Sequence, residues 1–166
     1  LGDVYKRQTN TLALEGCREI LTTADKDFEV ICCSVGTGGT WAGLVESALP
    51  HQEVIGFTAL KNHNLENELR KLTTNKNGLL NHDYTFGGYA KVSPELIDFI
   101  NIFNKNFKTP LDPVYTGKLL FGIFDLIKNK LWLWGKKILI IHTGGLQGIE
   151  GMNQKLSKKK WPIINI

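Results

Sequence analysis

The apolar run Phe28 to Val35 passes directly into Ser34-Val35-Gly36-Thr37-Gly38-Gly39-Thr40, and a helical pattern follows over Thr40 to Leu49. A strand that turns through glycines into a helix is half of a βαβ unit, and such units build parallel sheets. No other feature of the chain narrows the fold as much. The same turn constrains the chemistry. Glycines let backbone N–H groups approach an anion closely, the hydroxyls of Thr37 and Thr40 add donors, and the helix dipole favours negative charge at its start. The spacing is not that of a P-loop, which needs a lysine after its last glycine, nor is it the G-x-G-x-x-G dinucleotide fingerprint. A phosphorylated ligand is therefore the expectation, with ATP and NAD disfavoured. The plain alternative is a tight turn whose glycines serve only close packing.

A second motif of the same kind strengthens the first. His142-Thr143-Gly144-Gly145-Leu146-Gln147-Gly148 follows the β-branched run Lys137 to Ile141 and again precedes a helical pattern. In an open α/β sheet ligands gather at the carboxyl ends of the strands, so two such loops on parallel strands predict one shared site. His142 is expected to be a hydrogen-bonded structural residue rather than a base or metal ligand.

The rest of the chain alternates in the same way. Leu14, Cys17, Ile20 and Leu21 form one apolar helix face, Glu53 to Phe57 reads as a strand, Leu65 to Leu72 as a helix and Leu79 to Phe86 as a weak strand. Ser93-Pro94-Glu95 predicts an N-cap with proline at the first helical position, ahead of a helix to Phe107. Asn75-Lys76-Asn77-Gly78 reads as a turn. Thr109-Pro110-Leu111-Asp112-Pro113 is a rigid loop that aims Asp112, Tyr115 and Thr116 at one place, just before an apolar helix running to Ile127. Tyr115 reads equally as a pocket residue or as an aromatic cover on the core.

Composition excludes several classes. The formal charge is +4 over 166 residues, and much of the excess lies in Lys155 to Lys160, which reads as a solvated tail. With no aromatic stacking platform or basic helix face, nucleic acid is not an expected partner. Cys17, Cys32 and Cys33 make no metal pattern and read as reduced core thiols. No secretory signal or membrane span is visible, which makes a cytoplasmic location the default and a membrane partner unexpected. Residues 1–8, Leu1 to Gln8, begin without Met and resemble translated adapter sequence, so they read as a non-native lead-in; residues 9–166 form the structural unit.

Taken in order, Cys32-Cys33-Ser34-Val35-Gly36-Thr37-Gly38-Gly39-Thr40, Pro113-Val114-Tyr115-Thr116-Gly117-Lys118 and His142-Thr143-Gly144-Gly145 resemble the aminocyclopropane-carboxylate deaminase and D-cysteine desulfhydrase family of pyridoxal-phosphate enzymes. The resemblance runs from about Thr9 to Ile166 and corresponds to the family's C-terminal half, most of its large domain. It implies an α/β fold, three-layer αβα with a mostly parallel open sheet, of the tryptophan-synthase-β-like type (fold type II), here incomplete. It implies pyridoxal 5′-phosphate as cofactor, a small amino acid as substrate, and a homodimer when the protein is full length. By position, Thr37, Gly38, Gly39 and Thr40 match the phosphate loop, Tyr115 an aromatic residue beside the cofactor ring, and Thr116 the partner of the pyridine nitrogen. Thr143 and Gly144 match the loop at the ring and substrate, and Tyr89, after Gly87-Gly88, a further active-site tyrosine.

Two departures bear on activity. The deaminase branch carries glutamate and leucine where this chain has Thr116 and Thr143. A neutral hydroxyl at the pyridine nitrogen leaves the ring a weaker electron sink, which suits departure of a good β-leaving group better than cyclopropane opening. The resemblance thus implies D-cysteine desulfhydrase-like elimination to pyruvate, ammonia and sulfide, with cyclopropane-ring deamination, or a non-catalytic phosphate-ligand-binding module, as alternatives. The lysine that anchors the cofactor covalently lies in the family's other half. Lys118 reads as a helix-surface or pocket-rim residue rather than that lysine, so the chain is expected to be a fragment without turnover of its own.

Overall fold

The structure, a computed structural model, describes residues 11–62 and 64–166. The lead-in reading of Leu1 to Gln8 therefore lies outside the described residues. In chain order the elements are α1 (Thr11–Arg18), β1 (Val30–Val35), α2 (Gly39–Ser47), β2 (Glu53–Thr58), α3 (Leu65–Arg70), β3 (Gly78–Asn81), α4 (Pro94–Phe107), α5 (Thr116–Lys128), β4 (Ile138–Ile141) and α6 (Ile149–Lys158). The strands form one sheet in the order β3-β2-β1-β4, every pairing parallel, with Cys32 opposite Ile55 on one side and Ile140 on the other.

Because side chains alternate along a strand, β1 serves two cores at once. Ile31, Cys33 and Val35 pack with Trp41, Leu44 and Val45 of α2 and with Leu65 and Leu69 of α3. Val30 and Cys32 face the other way, onto Leu119, Ile123 and Leu126 of α5, with Ile55 and Phe57 of β2 beside them. A third cluster joins α4, α5 and α6 through Leu96, Ile100, Leu120, Met152 and Leu156. Helices thus cover both faces, which is the expected three-layer αβα arrangement on a parallel sheet. Burial pushes the Cys32 thiol up to about 12 and that of Cys33 higher still, so both are protonated, inert core residues.

Local chemistry sets the boundaries. Ser93 adopts an extended conformation and its hydroxyl accepts from the Leu96 N–H, with Pro94 at the first helical position. Three expectations need correction. The strand expected from Leu79 to Phe86 stops at Asn81, whose side-chain oxygen accepts from the Asp83 N–H and turns the chain out of the sheet. The strand expected from Phe28 starts at Val30, because the Phe28 N–H is taken by the Asp25 carbonyl in a turn. Lys155 to Lys160 is no tail: it lies largely in the last turns of α6, Met152 and Leu156 anchor that helix, and the chain beyond returns through paired hydrogen bonds between Asn153 and Ile164. The lysines themselves are exposed.

Candidate functional site

Parallel pairing puts every strand's carboxyl end on one edge of the sheet, and the glycine-bearing loops after β1 and β4 both emerge there. After β1, Gly38 takes φ +90° at the N-cap of α2 and has no side chain to cap the helix. The first-turn N–H groups are thereby presented outward as donors, the geometry that receives an anion. Packing also holds Gly38 in place, since a Cβ there would fall 2.3 Å from Leu69 Cδ2. The close-packing reading of this glycine is therefore correct, and its left-handed turn also leaves the start of α2 without a side-chain cap from Gly38. Thr37 is exposed at the loop and Thr40 half-buried in the first turn.

The loop before α5 is organised by Asp112, which is buried. Its Oδ1 accepts from the Val114 and Tyr115 N–H groups at 2.9 and 2.8 Å. Its Oδ2 accepts from the Thr116 N–H at 2.8 Å and from the Thr116 hydroxyl at 2.7 Å. A carboxylate receiving the first amides of a helix satisfies donors the helix leaves open and matches its dipole. Asp112 is thus turned back onto α5 rather than aimed at a ligand.

This corrects the expectation for Thr116. Its one hydroxyl hydrogen goes to Asp112, its oxygen accepts from the Asp112 N–H at 3.0 Å, and the residue is 1 % exposed. It has no donor to offer a pyridine nitrogen.

Tyr115, half-buried at the start of α5, places its ring against Gly36 of the first loop, where a Cβ would lie 3.2 Å from Cε1. Tyr89 meets it edge-on, ring centroids 6.3 Å apart, and is 61 % exposed. The structure therefore brings Tyr115, Tyr89 and the first glycine loop together. Lys118 is neither on the helix surface nor at a rim. It is buried, and Nζ donates to the carbonyls of Ala59, Thr85 and Gly88 at 3.1, 2.8 and 2.8 Å. Burial lowers its basicity to about 8, against the opposing charge of Asp112. The signal in the sequence was a lone charge in the first turn of an otherwise apolar helix, immediately ahead of the run Leu119 to Phe124.

Past β4, His142 is structural, as expected. Its Nδ1 accepts from the Gly144 N–H at 3.1 Å, which leaves Nε2–H to donate to the Pro110 carbonyl at 3.0 Å. That pair ties the second glycine loop to the Asp112 loop, and a Cβ on Gly145 would sit 3.2 Å from the Asp112 carboxyl carbon. Thr143 is exposed, and Gly144, at φ +85°, has open space where its side chain would be. The start of α2 at Gly38 fits the phosphate end of a cofactor such as pyridoxal phosphate; Thr116 does not fit as the partner of its ring nitrogen.

No family model matches the chain. Among known proteins it is similar to three from archaea, each named "Putative 1-aminocyclopropane-1-carboxylate deaminase". The Pyrococcus furiosus protein is 36% identical over 158 residues, covering 87% of this chain and 46% of its own length. The Pyrococcus horikoshii protein is 34% identical over 152 residues, with 83% and 46% covered. The Pyrococcus abyssi protein is 33% identical over 153 residues, with 82% and 46% covered. The chain thus spans about half the length of the curated relatives it matches. A crystal structure described as an ACC deaminase homologue superposes with a TM-score of 0.75 at 29% identity, covering 88% of this chain and 48% of that one.

Proposed function

We propose that this chain, similar over about half their length to proteins named putative 1-aminocyclopropane-1-carboxylate deaminase, belongs to the 1-aminocyclopropane-1-carboxylate deaminase and D-cysteine desulfhydrase family and supplies the phosphate-holding and substrate-facing part of a pyridoxal-phosphate-dependent lyase. The observation that carries this reading is the uncapped start of α2, with Gly38 left-handed, on the sheet edge where Tyr115 and Tyr89 pair. The α2 amides, with the Thr37 and Thr40 hydroxyls, hold a phosphate dianion. When bound, the cofactor supplies an electron sink for an amino acid's α-carbon. The phenols of Tyr115 and Tyr89 face the region beside it and orient a small amino acid, and Thr143 and Gly144 close the opposite side.

The substrate within this proposal is D-cysteine, eliminated with water to pyruvate, ammonia and sulfide. Thr143, a hydroxyl where the deaminase branch has leucine, supports it; Thr116 no longer does, because its hydrogen is committed to Asp112. The relatives' printed names favour a second reading, hydrolytic ring opening of 1-aminocyclopropane-1-carboxylate to 2-oxobutyrate and ammonia. Assembly as a homodimer belongs to the same proposal.

The test has two arms. A protein that unites this chain with the family's other half is assayed for pyruvate and sulfide from D-cysteine and for 2-oxobutyrate from the cyclopropane. Faster release from D-cysteine is expected, and the opposite ratio transfers the assignment to the second reading. The 166-residue chain alone is expected to release neither product, because the family's cofactor-anchoring lysine has no match in it. Turnover by the chain alone overturns that part.

A further inference from the structure

The segment between β3 and α4 is an improbable piece of backbone. Phe86 and Ala90 take φ of +53°, Gly87 +97° and Gly88 +125°. Side-chain-bearing residues in the left-handed region cost free energy and persist only where their surroundings over-determine them. The surroundings here are one face of α5. Lys118, Phe121 and Asp125 fall at helical spacing, and each grips the segment in a different way. The Tyr84 hydroxyl donates to Asp125 Oδ2 at 2.8 Å, Phe86 packs edge-on to Phe121 with centroids 5.1 Å apart, and Lys118 holds the Thr85 and Gly88 carbonyls while reaching Ala59 just past β2. Within this turn backbone bonds run from the Gly88 N–H to the Thr85 carbonyl and from the Lys91 N–H to the Gly88 carbonyl, both closing on carbonyls that Lys118 also binds.

We infer that Lys118 is the positioning residue for Tyr89: its ammonium, seated among three backbone carbonyls, fixes the Thr85–Ala90 turn on α5 so that the Tyr89 ring stands against Tyr115. All three hydrogens of the ammonium are committed and the side chain is buried, so Lys118 neither attacks nor exchanges protons with a ligand. It acts through Tyr89. Gly88, the last gripped carbonyl, lies one residue before Tyr89, so loosening that carbonyl releases the phenol first. The functional consequence rests on the site reading above, in which Tyr89 orients the substrate; the mechanical part does not.

The experiment is amide exchange on the 166-residue chain and its Lys118→Ala variant, without cofactor or substrate. Removing the lysine deletes its charge-assisted bonds to three carbonyls, so exchange at Gly88 and Lys91 should accelerate on the order of tenfold or more. Amides of β1 and β2 should keep their wild-type rates. The variant leaves an empty carbonyl cage, and added n-butylammonium should restore protection where neutral n-butanol does not. Unchanged exchange in the turn, or equal rescue by the alcohol, overturns the inference, the latter because it shows packing rather than charge at work. Should Lys118→Ala fail to fold, wild-type NMR decides: slowly exchanging Nζ protons with cross-relaxation to Gly88 support the clasp, and a freely exchanging ammonium refutes it. These readouts do not involve pyridoxal phosphate, so loss of the proposed function leaves them standing, and their failure leaves the anion cradle untouched.

Discussion

Thr116 binds Asp112 through both its amide and its hydroxyl in a fully buried corner, so a glutamate there would force one carboxylate against another away from water. Uncompensated buried charge is among the few single changes that cost about 3 kcal/mol or more. Thr116→Glu is expected to lower Tm by roughly 6–12 °C in a thermal scan. Any shift of preference toward the cyclopropane substrate in a Thr116→Glu, Thr143→Leu double variant should already be present in Thr143→Leu alone, read as the ratio of kcat/KM values. Gly38→Val meets Leu69 and a left-handed φ together, so it should destabilise by about 1–3 kcal/mol as well as weaken phosphate binding; denaturant unfolding separates the two effects. For Lys118 the sign of the pH dependence follows from a folded value of about 8 against 10.5 unfolded. The unfolded chain holds more protons between those values, so this group's contribution to stability is flat below pH 8 and rises from there toward 10.5. An NMR titration of the Lys118 Cε protons with a midpoint near 10.5 would contradict the burial.

At the scale of elements, the entry to β4 is held by a single side chain outside it. Glu29 Oε2 accepts from the Lys136 and Lys137 N–H groups at 2.6 and 3.0 Å, which delivers the chain to the edge of β1. The amides of Lys137 and then Lys136 hold this carboxyl below its usual 4.5. A depressed folded value stabilises above 4.5 and is lost as pH falls through the folded value, so acid should loosen β4. Exchange of the Ile138–Ile141 amides between pH 6 and pH 3, corrected for intrinsic rates, is expected to rise in the wild type and to lose that pH dependence in Glu29→Gln, on the order of one proton's worth of slope. Since β4 carries the His142–Gly145 loop, the same variant should also loosen the second half of the candidate site.

At the scale of the whole molecule, an exposed apolar surface lies where α4 meets α5. Phe107 and Phe124 are 56% and 42% exposed, their rings 6.4 Å apart, and Ile127, Leu131 and Leu133 are exposed nearby along the chain. Apolar surface of that kind favours association by about 25 cal/mol per Å² removed from water. The isolated chain is expected to self-associate in sedimentation velocity, and a Phe107→Lys, Phe124→Lys double variant to reduce that association without lowering the sheet's exchange protection. A monodisperse monomeric wild type would contradict this.

The residues alone determined the alternation of strands and helices and the sheet edge from which both glycine loops emerge. Strands buried on both faces read as unbroken apolar runs, helices as 3.6-residue patterns, and glycines at the two turns mark where a strand hands over to a helix. Those are local signals, set by burial and backbone sterics, and they survive without knowledge of neighbours. What the tertiary structure decided are pairings between distant side chains and backbone. Thr116 could be matched to a ring nitrogen until Asp112, four residues earlier, was seen to take its hydrogen. Lys118 read as a surface cation because nothing in its own stretch predicts three carbonyls contributed by positions 59, 85 and 88. A buried hydrogen-bonding group is assigned by where its partners are, and partners that converge across 30 to 59 residues leave no periodic trace in the sequence.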